Sequence, residues 1–311
     1  MAILVLAAMS EAEFGGWEGA LREVFAGEEL RIYPDVGDPA AIEIALVANP
    51  PRGVLGGLPN LRLIHSLWRG VDALVGDPTL PRAVPLVRLV DPAMARAMTE
   101  TVLLHVLTLH RRLPEYREQQ ARALWRELEQ PTADERRVGV LGLGDLGREA
   151  ARALADLGFA VAGWSRQPRA LPGVVGFTGA EGLTALLGRT DILVNLLPLT
   201  AETRGMLNAT TLAQLPTGAS LINVARGGHL VEDDLLRALD SGHLAHAILD
   251  VFDEEPLPAA HPFWRHPRVT VLPHVAAYSD ARSGAAIVAA NVARFRAGEP
   301  VEHLVDWEAG Y

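Results

Sequence analysis

The sequence predicts an α/β fold containing a doubly wound parallel sheet, and three observations lead there. Short, nearly continuous apolar runs recur along the 311 residues, as expected of strands covered on both faces. From residue 137 onward these runs alternate with helical patterns, the order that winds helices onto both faces of a parallel sheet. With 49% hydrophobic residues, 29 glycines, 21 prolines and no long polar tract, the chain has the composition of a folded, turn-rich protein rather than a disordered one. This length accommodates two domains or one large one.

In the first third, "AILVLA" (2–7), "LRIYP" (30–34), "IEIALVA" (42–48), "LRLIHSL" (61–67) and "PLVRLV" (85–90) read as strands separated by Gly/Pro turns. "EFGGWEGALREVFAG" between the first two is a glycine-weakened helix. A single sheet continuing through the whole protein is the alternative that length leaves open. The texture changes at Ala93, where "AMARAMTETVLLHVLTLHRR" predicts a long helix with an apolar stripe and "LPEYREQQARALWRELE" continues as charged helix or loop. Met94, Met98 and Leu103 are packing residues in this reading. The second series runs "RVGVLGLG" (strand and turn), "DLGREAARALADLG" (helix), "FAVAGW", "TDILVNLLP" and "ASLINVARGG" (strands), "EDDLLRALDSG" (helix), then "AHAILDVF" and "VTVLPHV" (strands). A last helix over Ser279 to Ala297 is placed to return to the first domain, making that domain discontinuous.

The formal charge of −10, from 38 acidic and 28 basic residues, repels nucleic acid and anionic lipid while leaving room for a local basic pocket. Every basic residue is arginine, so neither Schiff-base chemistry nor a P-loop lysine is available. With no cysteine, disulfides, thiolate nucleophiles and cysteine-bound metals are excluded, which fits a cytoplasmic setting. "MAILVLAAM" lacks a basic leader and turns acidic at Glu11 and Glu13, so it reads as a first strand rather than a signal peptide. No apolar segment is long enough to span a bilayer.

Gly142, Gly144 and Gly147 form G-x-G-x-x-G between a strand and an alanine-rich helix. The glycines permit a tight turn and close approach of a pyrophosphate, and the helix N-terminus offers N–H groups to it. A nicotinamide or flavin dinucleotide is expected; a purely structural glycine turn is the alternative. At the end of the next strand, where NAD-preferring sites commonly carry an acid for the ribose hydroxyls, stand Ser165 and Arg166, with Arg169 close by. Arginine and serine there suit a 2′-phosphate and predict NADP(H) as the preferred cofactor, with NAD(H) as the second choice. Alternatively the arginines are ordinary surface residues.

Three polar residues close strands or follow them: Arg226 after "LINVA", Glu255 in "LDVFDEEPLP" and His274 in "VTVLPHV". Open α/β sheets bind ligands beyond the carboxyl ends of their strands, so the three can converge. Taken singly they also read as a surface pair, a solvated turn acid and a core-edge histidine. Together they supply a planar fork for a carboxylate, a proton donor for a developing alkoxide and an acid that orients the imidazole and favours its charged form. With a nicotinamide as hydride source this set interconverts a 2-keto acid and a 2-hydroxy acid, and no metal is required.

On "GVLGLGDLG", the run "LVNLLPLTAETRGMLNATTLAQLPTGASLINVARGGHLVEDDLLRAL", "AILDVFDEEPLP", "HPFWRHPRVTVLPHVAAYS" and "LHRRLPEY", the chain resembles the D-isomer-specific 2-hydroxyacid dehydrogenase family, most closely its glyoxylate/hydroxypyruvate reductase A branch. The resemblance implies a Rossmann-type dinucleotide-binding domain, residues 99–278, inserted in a smaller flavodoxin-like substrate domain, residues 1–98 and 279–311. It assigns Arg226 to the substrate carboxylate and keto oxygen, Glu255 and His274 to acid/base work, and the turn Gly142, Gly144, Asp145, Leu146 and Gly147 to the cofactor. Leu197 and Pro198 of "NLLPLT" are placed under the nicotinamide ribose and pyrophosphate, and Asp250 at the nicotinamide amide. In "HSLWRGVD" the backbone of Arg69, Gly70 and Val71 is implied to hold substrate. Trp68 and Arg69 replace the usual glycine and alanine: they narrow the site, favour an acidic substrate, or point away. Trp264 covers the substrate or anchors packing. A homodimer is implied, consistent with the long 99–125 segment crossing to a neighbour; an intramolecular helix covering the sheet is the alternative. The expected substrate is a small 2-keto or 2-hydroxy acid. Alternatives are a larger 2-keto acid, a 3-phosphoglycerate dehydrogenase (disfavoured because no regulatory domain follows the closing helix) and a dinucleotide-sensing, corepressor-like protein.

Overall fold

A computed structural model describes residues 2–311; Met1, where the expected first segment begins, lies outside the described residues. The chain divides into two units, one of Met1–Met94 with Tyr278–Tyr311, the other of Ala95–Ala277. The sequence placed the two crossings at 98/99 and 278/279.

The smaller unit begins with β1 (Ala2–Ala7), α1 (Glu11–Val24), β2 (Glu29–Ile32), β3 (Ile42–Ala48), β4 (Leu63–Ser66), the single turn α2 (Asp72–Val75) and β5 (Leu86–Val87). All strands pair in parallel in the order β2-β1-β3-β4-β5, the flavodoxin-like order. Alternate residues of the central strands enter two cores: Ile3, Val5 and Leu46 on one face, Leu4, Leu6, Ala45 and Val47 on the other. Burial on both faces explains why these strands read as unbroken apolar runs. Helix α1 tolerates its glycines because the Ser10 side chain accepts from Glu13 N–H, acids occupy the first turn, and Trp17 and Leu21 are buried. Strand β5 is shorter than expected because Arg88 N–H bonds to His303 O and Val87 bridges Leu304, so a C-terminal segment takes over the pairing.

The larger unit follows along α3 (Pro92–His110), whose first residues still belong to the smaller one. Arg112, in a left-handed conformation (φ 58°), separates α3 from α4 (Leu113–Ala121), and residues 124–131 carry no regular element. Then come β6 (Arg137–Leu141), α5 (Asp145–Asp156), β7 (Ala160–Trp164), β8 (Val174–Phe177), α6 (Gly179–Leu187), β9 (Ile192–Asn195), α7 (Ala209–Leu212), β10 (Ala219–Asn223), α8 (Glu232–Asp240), β11 (Leu244–Leu249) and β12 (Val269–Val271). The seven strands are parallel in the order β12-β11-β10-β9-β6-β7-β8. The direction of winding reverses between β6 and β9, where open sheets of this type form a ligand crevice. Helices α3 and α5 cover one face through Met98, Val102, Val106, Ala150 and Leu154; α6 and α8 cover the other through Leu186, Leu187, Leu235 and Leu239. The sequence did not predict β8 and α6. The first is a half-exposed edge strand, and the second carries two glycines.

The last helix, α9 (Ala281–Ala297), starts on Asp280, whose side chain accepts from Arg282 and Ser283 N–H, and stops at left-handed Gly298. Ala285, Val288 and Val292 join Ile3, Val5, Trp17 and Leu21 in one core of the smaller unit.

Candidate active site

Because every strand of the larger sheet runs the same way, the loops after β6, β9, β10, β11 and β12 emerge at one edge. The glycine turn leaves β6 there. Gly142 has φ 95°, and a Cβ would lie 2.8 Å from Leu196 O on the neighbouring loop; at Gly147 a Cβ would lie 1.7 Å from Gly142 O. Both glycines are required by the fold itself. Gly144 is not: its φ of −71° suits any residue, and a Cβ would meet nothing within 4 Å. What glycine achieves there is a low surface over the first turn of α5, whose N–H groups have no acceptor inside the helix. The cradle therefore fits a pyrophosphate, which the backbone at Asp145 and Leu146 would hold. The Asp145 side chain is drawn to Arg148 at 2.9 Å.

Beyond β7, Ser165 is buried and its hydroxyl donates to Gln167 O at 2.6 Å, shaping the turn, while Arg166 and Arg169 are exposed. Beyond β9, Leu197 N–H bonds to the Asn195 side chain and Pro198 O accepts from Thr203 Oγ1.

Strand β10 ends at Asn223, so Arg226 sits three residues further out, on a short turn, rather than on the strand. Gly227 explains why the arginine is followed by glycine. A Cβ at that position would lie 1.8 Å from the carbonyl carbon of Phe252, so only glycine lets the Arg226 turn close onto the loop after β11. The half-buried Arg226 guanidinium donates to Ala225 O at 2.7 Å.

That loop carries Glu255. One of its carboxylate oxygens accepts from Phe252 N–H at 2.9 Å and the other from His274 Nδ1 at 2.7 Å. Burial pushes the Glu255 carboxyl upward, but the His274 hydrogen bond, the Phe252 N–H and the charges of His274 and Arg226 hold it below the usual carboxylate range. The Nδ1–H of His274 is thereby committed to Glu255, which leaves Nε2 as the nitrogen able to exchange a proton with a bound molecule. About half of the His274 side chain is exposed. Its backbone is strained (φ 54°) and is held from behind by Asp250: His274 N–H bonds to Asp250 O, while Val275 and Ala276 N–H each bond to one oxygen of the Asp250 carboxylate. Asp250 is completely buried, and burial raises its pKa against the two N–H bonds and the His274 charge. So Arg226, Glu255 and His274 come together, and both oxygens of Asp250 hold the histidine loop.

Trp264 closes a short turn whose buried anchor is Phe263; the Trp264 ring is 50% exposed, with Nε1 donating to Pro258 O. Trp68, Arg69, Gly70 and Val71 lie in the smaller unit, in the loop from β4 to α2. There Trp68 packs partly against that unit's core, Arg69 and Gly70 are half-buried and Val71 is buried.

Two residues, Asn223 and His229, escaped the sequence reading, and a third, Asn195, entered it only as the first residue of the "NLLPLT" run. Asn195 and Asn223 end β9 and β10, His229 follows the two glycines, and all three are completely buried and hydrogen-bonded to one another's loops. The available signal was a polar residue terminating an otherwise apolar strand. Among the described residues no helix is long and apolar enough to cross a membrane.

Comparison with known proteins identifies the family. The sequence profile described as D-isomer specific 2-hydroxyacid dehydrogenase, NAD binding domain, matches residues 103–276. The glyoxylate/hydroxypyruvate reductase A of Serratia proteamaculans (strain 568) is 44% identical over 300 residues, covering 95% of this chain and 96% of the relative. Among solved structures, a D-isomer specific 2-hydroxyacid dehydrogenase from Xanthobacter autotrophicus Py2, crystallised with NADPH and MES, superposes with a TM-score of 0.94 at 45% identity over 100% of this chain and 99% of that one. The NADPH-dependent glyoxylate/hydroxypyruvate reductase of Sinorhizobium meliloti, in complex with NADP and sulfate, gives 0.93 at 41% identity over 100% and 99%. The chain thus belongs to the D-isomer-specific 2-hydroxyacid dehydrogenase family, in its glyoxylate/hydroxypyruvate reductase A branch, and is an NAD(P)-dependent reductase of small 2-keto acids.

Proposed function

We propose that the enzyme reduces glyoxylate, hydroxypyruvate and similarly small 2-keto acids, using NADPH in preference to NADH. The observation that carries the reading is the 2.7 Å bond between Glu255 and His274 Nδ1, which leaves Nε2 for the substrate. Arg226 receives the substrate carboxylate in its planar fork and polarises the adjacent carbonyl. A reduced nicotinamide held by the strand-end loops supplies the hydride to the carbonyl carbon. His274, doubly protonated, releases its Nε2 proton to the carbonyl oxygen and is left neutral; Glu255 stays ionised, holds the ring in orientation and stabilises its charged form. Water then returns the proton.

Gly142, Gly144, Asp145, Leu146 and Gly147 are assigned to the pyrophosphate, Leu197 and Pro198 to the nicotinamide side, and Arg166 and Arg169 to the 2′-phosphate. Ser165 shapes their turn through Gln167, and Asp250 serves the nicotinamide amide by way of the histidine loop it holds. NADPH preference is supported by the absence of an acid at the end of β7 and by the NADPH and NADP bound in the two relatives. Within the smaller unit, Trp68 and the backbone of Arg69, Gly70 and Val71 are assigned to substrate; within the larger, Trp264 is. A homodimer is supported by exposed Leu104, Leu107, Leu113, Leu124 and Trp125, the last 97% exposed.

Replacing His274 by alanine is expected to lower kcat by about 10²- to 10⁴-fold with little change in NADPH affinity. A near-normal kcat would reject the acid/base role. Small and branched 2-keto acids assayed with both cofactors test the substrate and cofactor assignments, and an Arg166→Ala variant with unchanged NADPH preference would remove Arg166 from the latter.

A further inference from the structure

Beneath the strand-end loops Asn195, Asn223 and His229 form a polar chain with no solvent exposure. Backbone partners set the orientation of both amides. Asn195 Oδ1 accepts from Leu197 N–H at 3.3 Å, so its Nδ2 faces Asn223 Oδ1 and His229 Nδ1, each at 3.0 Å. Asn223 Oδ1 also accepts from Ala225 N–H, and its Nδ2 donates to Arg226 O at 3.1 Å. An amide nitrogen can only donate, so His229 Nδ1 accepts from Asn195. The Pro198 carbonyl, 3.2 Å from Nε2, can only accept, so the ring proton is on Nε2. In this tautomer the Nδ1 edge of the ring rests 3.1 Å from Arg226 O.

The ring is thus wedged between two carbonyls that belong to different loops. Pro198 O is on the loop after β9, and Arg226 O is on the turn after β10. The Arg226 turn contains consecutive glycines and so has little stiffness of its own. Its outer side is fastened by Gly205 N–H to Gly228 O and Leu207 N–H to His229 O. Its inner side is fastened by Asn223 Nδ2, which donates to Arg226 O, and by the His229 ring, whose Nε2–H donates to Pro198 O on the neighbouring loop. We propose that His229 is a positioning residue that joins the Arg226 turn to the Leu197–Pro198 loop, so that the arginine and the dinucleotide side of the site are set as one body. This rests on the assignment of Arg226 to the substrate and of Leu197 and Pro198 to the dinucleotide. An apolar residue of similar volume would fill the space but leave an Asn195 N–H unpaired and the Pro198 carbonyl with only Thr203 Oγ1 as its partner, so that nothing would draw the two loops together.

The test compares His229→Leu, His229→Gln and Arg226→Gln in the full-length protein, reading glyoxylate KM, kcat, NADPH Kd and the melting temperature. A displacement of about 1 Å at a reacting group costs roughly 10²-fold, so His229→Leu is expected to raise KM at least ~10-fold and NADPH Kd ~3-fold or more. In His229→Gln the amide nitrogen can reach Pro198 O, and KM is expected to return to within ~3-fold of the parent, a rescue that space-filling alone would not produce. Parental KM and Kd in His229→Leu, with KM raised in Arg226→Gln, would overturn the positioning role alone. Parental KM in Arg226→Gln would overturn the reading beneath it. A glutamine variant no better than leucine would also overturn the proposal, reducing His229 to packing. Should His229→Leu fail to fold, His229→Asn replaces it: it keeps an acceptor for Asn195 but cannot reach Pro198, so raised KM supports the tether and parental KM overturns it.

Discussion

Exchanging Gly144 for alanine separates the needs of the fold from those of the cofactor. The added methyl would have no protein atom within 4 Å, and the backbone at φ −71° and ψ −164° already suits alanine. Two small effects oppose each other in the folded protein: alanine is a poorer helix N-cap than glycine, but it restricts the unfolded chain, which stabilises by ~0.4–1 kcal/mol. The net change is expected within about 1 kcal/mol, a few degrees in melting temperature for a unit of this size. In the binding equilibrium the same methyl stands where a phosphate must approach the helix N-terminus. Overpacking of that kind costs about 1–3 kcal/mol, or roughly 5- to 150-fold in NADPH Kd. Gly147→Ala is the contrasting control, since its Cβ would lie 1.7 Å from Gly142 O and the turn itself must deform. That variant is expected to lose at least ~3 kcal/mol, or about 6–12 °C. Thermal melts and fluorescence titration with NADPH read the two quantities separately. A parental Kd in Gly144→Ala refutes the assignment of this turn to a phosphate, and a melting loss equal to that of Gly147→Ala refutes the claim that its surface is free of fold constraints.

Two further outcomes are expected. Gly227→Ala pushes the Arg226 turn away from Phe252, so kcat/KM should fall by about 10²-fold; steady-state kinetics showing a parental value would mean that the approach of the two loops does not matter. Stability should also decline in mild acid. Burial pushes the His65 ring down to about 4 from its ordinary 6.5, against a bond to Ser66 O and with the His303 charge assisting. The folded state therefore holds this ring neutral where the unfolded chain protonates it. The contribution is complete above pH 6.5 and is lost as pH falls toward 4, by ~3 kcal/mol in all. Denaturant melts of the parent and of His65→Gln across that window check the sign: the variant should show a shallower decline, and an identical decline would remove His65 as its source.

The parts of the structure that were legible in the sequence are those with strong local signatures. Strand β3 occupies the residues expected of it because both of its faces are buried, and the strand–turn–helix around Gly142 carries its own steric pattern. Arg226, Glu255 and His274 could be singled out because a parallel sheet sends all of its carboxyl ends to one edge. What could not be read was nonlocal. The end of β10 before Arg226 depends on how the turn closes onto Phe252. The short β5 depends on a segment more than two hundred residues away. The Asn195–Asn223–His229 chain is assembled from single polar residues on three loops, each unremarkable in its own surroundings. Asp250 is a similar case: nothing local in "LDVF" announces that its carboxylate will be divided between two backbone N–H groups of the histidine loop.

The return of α9 to the smaller unit sets an order of assembly during synthesis. The larger unit, Ala95–Ala277, is contiguous and has all of its strands once Ala277 has left the ribosome. The N-terminal sheet, although translated first, waits for Ala285, Val288 and Val292 to cover Ile3, Val5 and Leu21. Until α9 emerges, the sheet face bearing Ile3 and Val5 has α1, through Trp17 and Leu21, but not the helix that completes its cover.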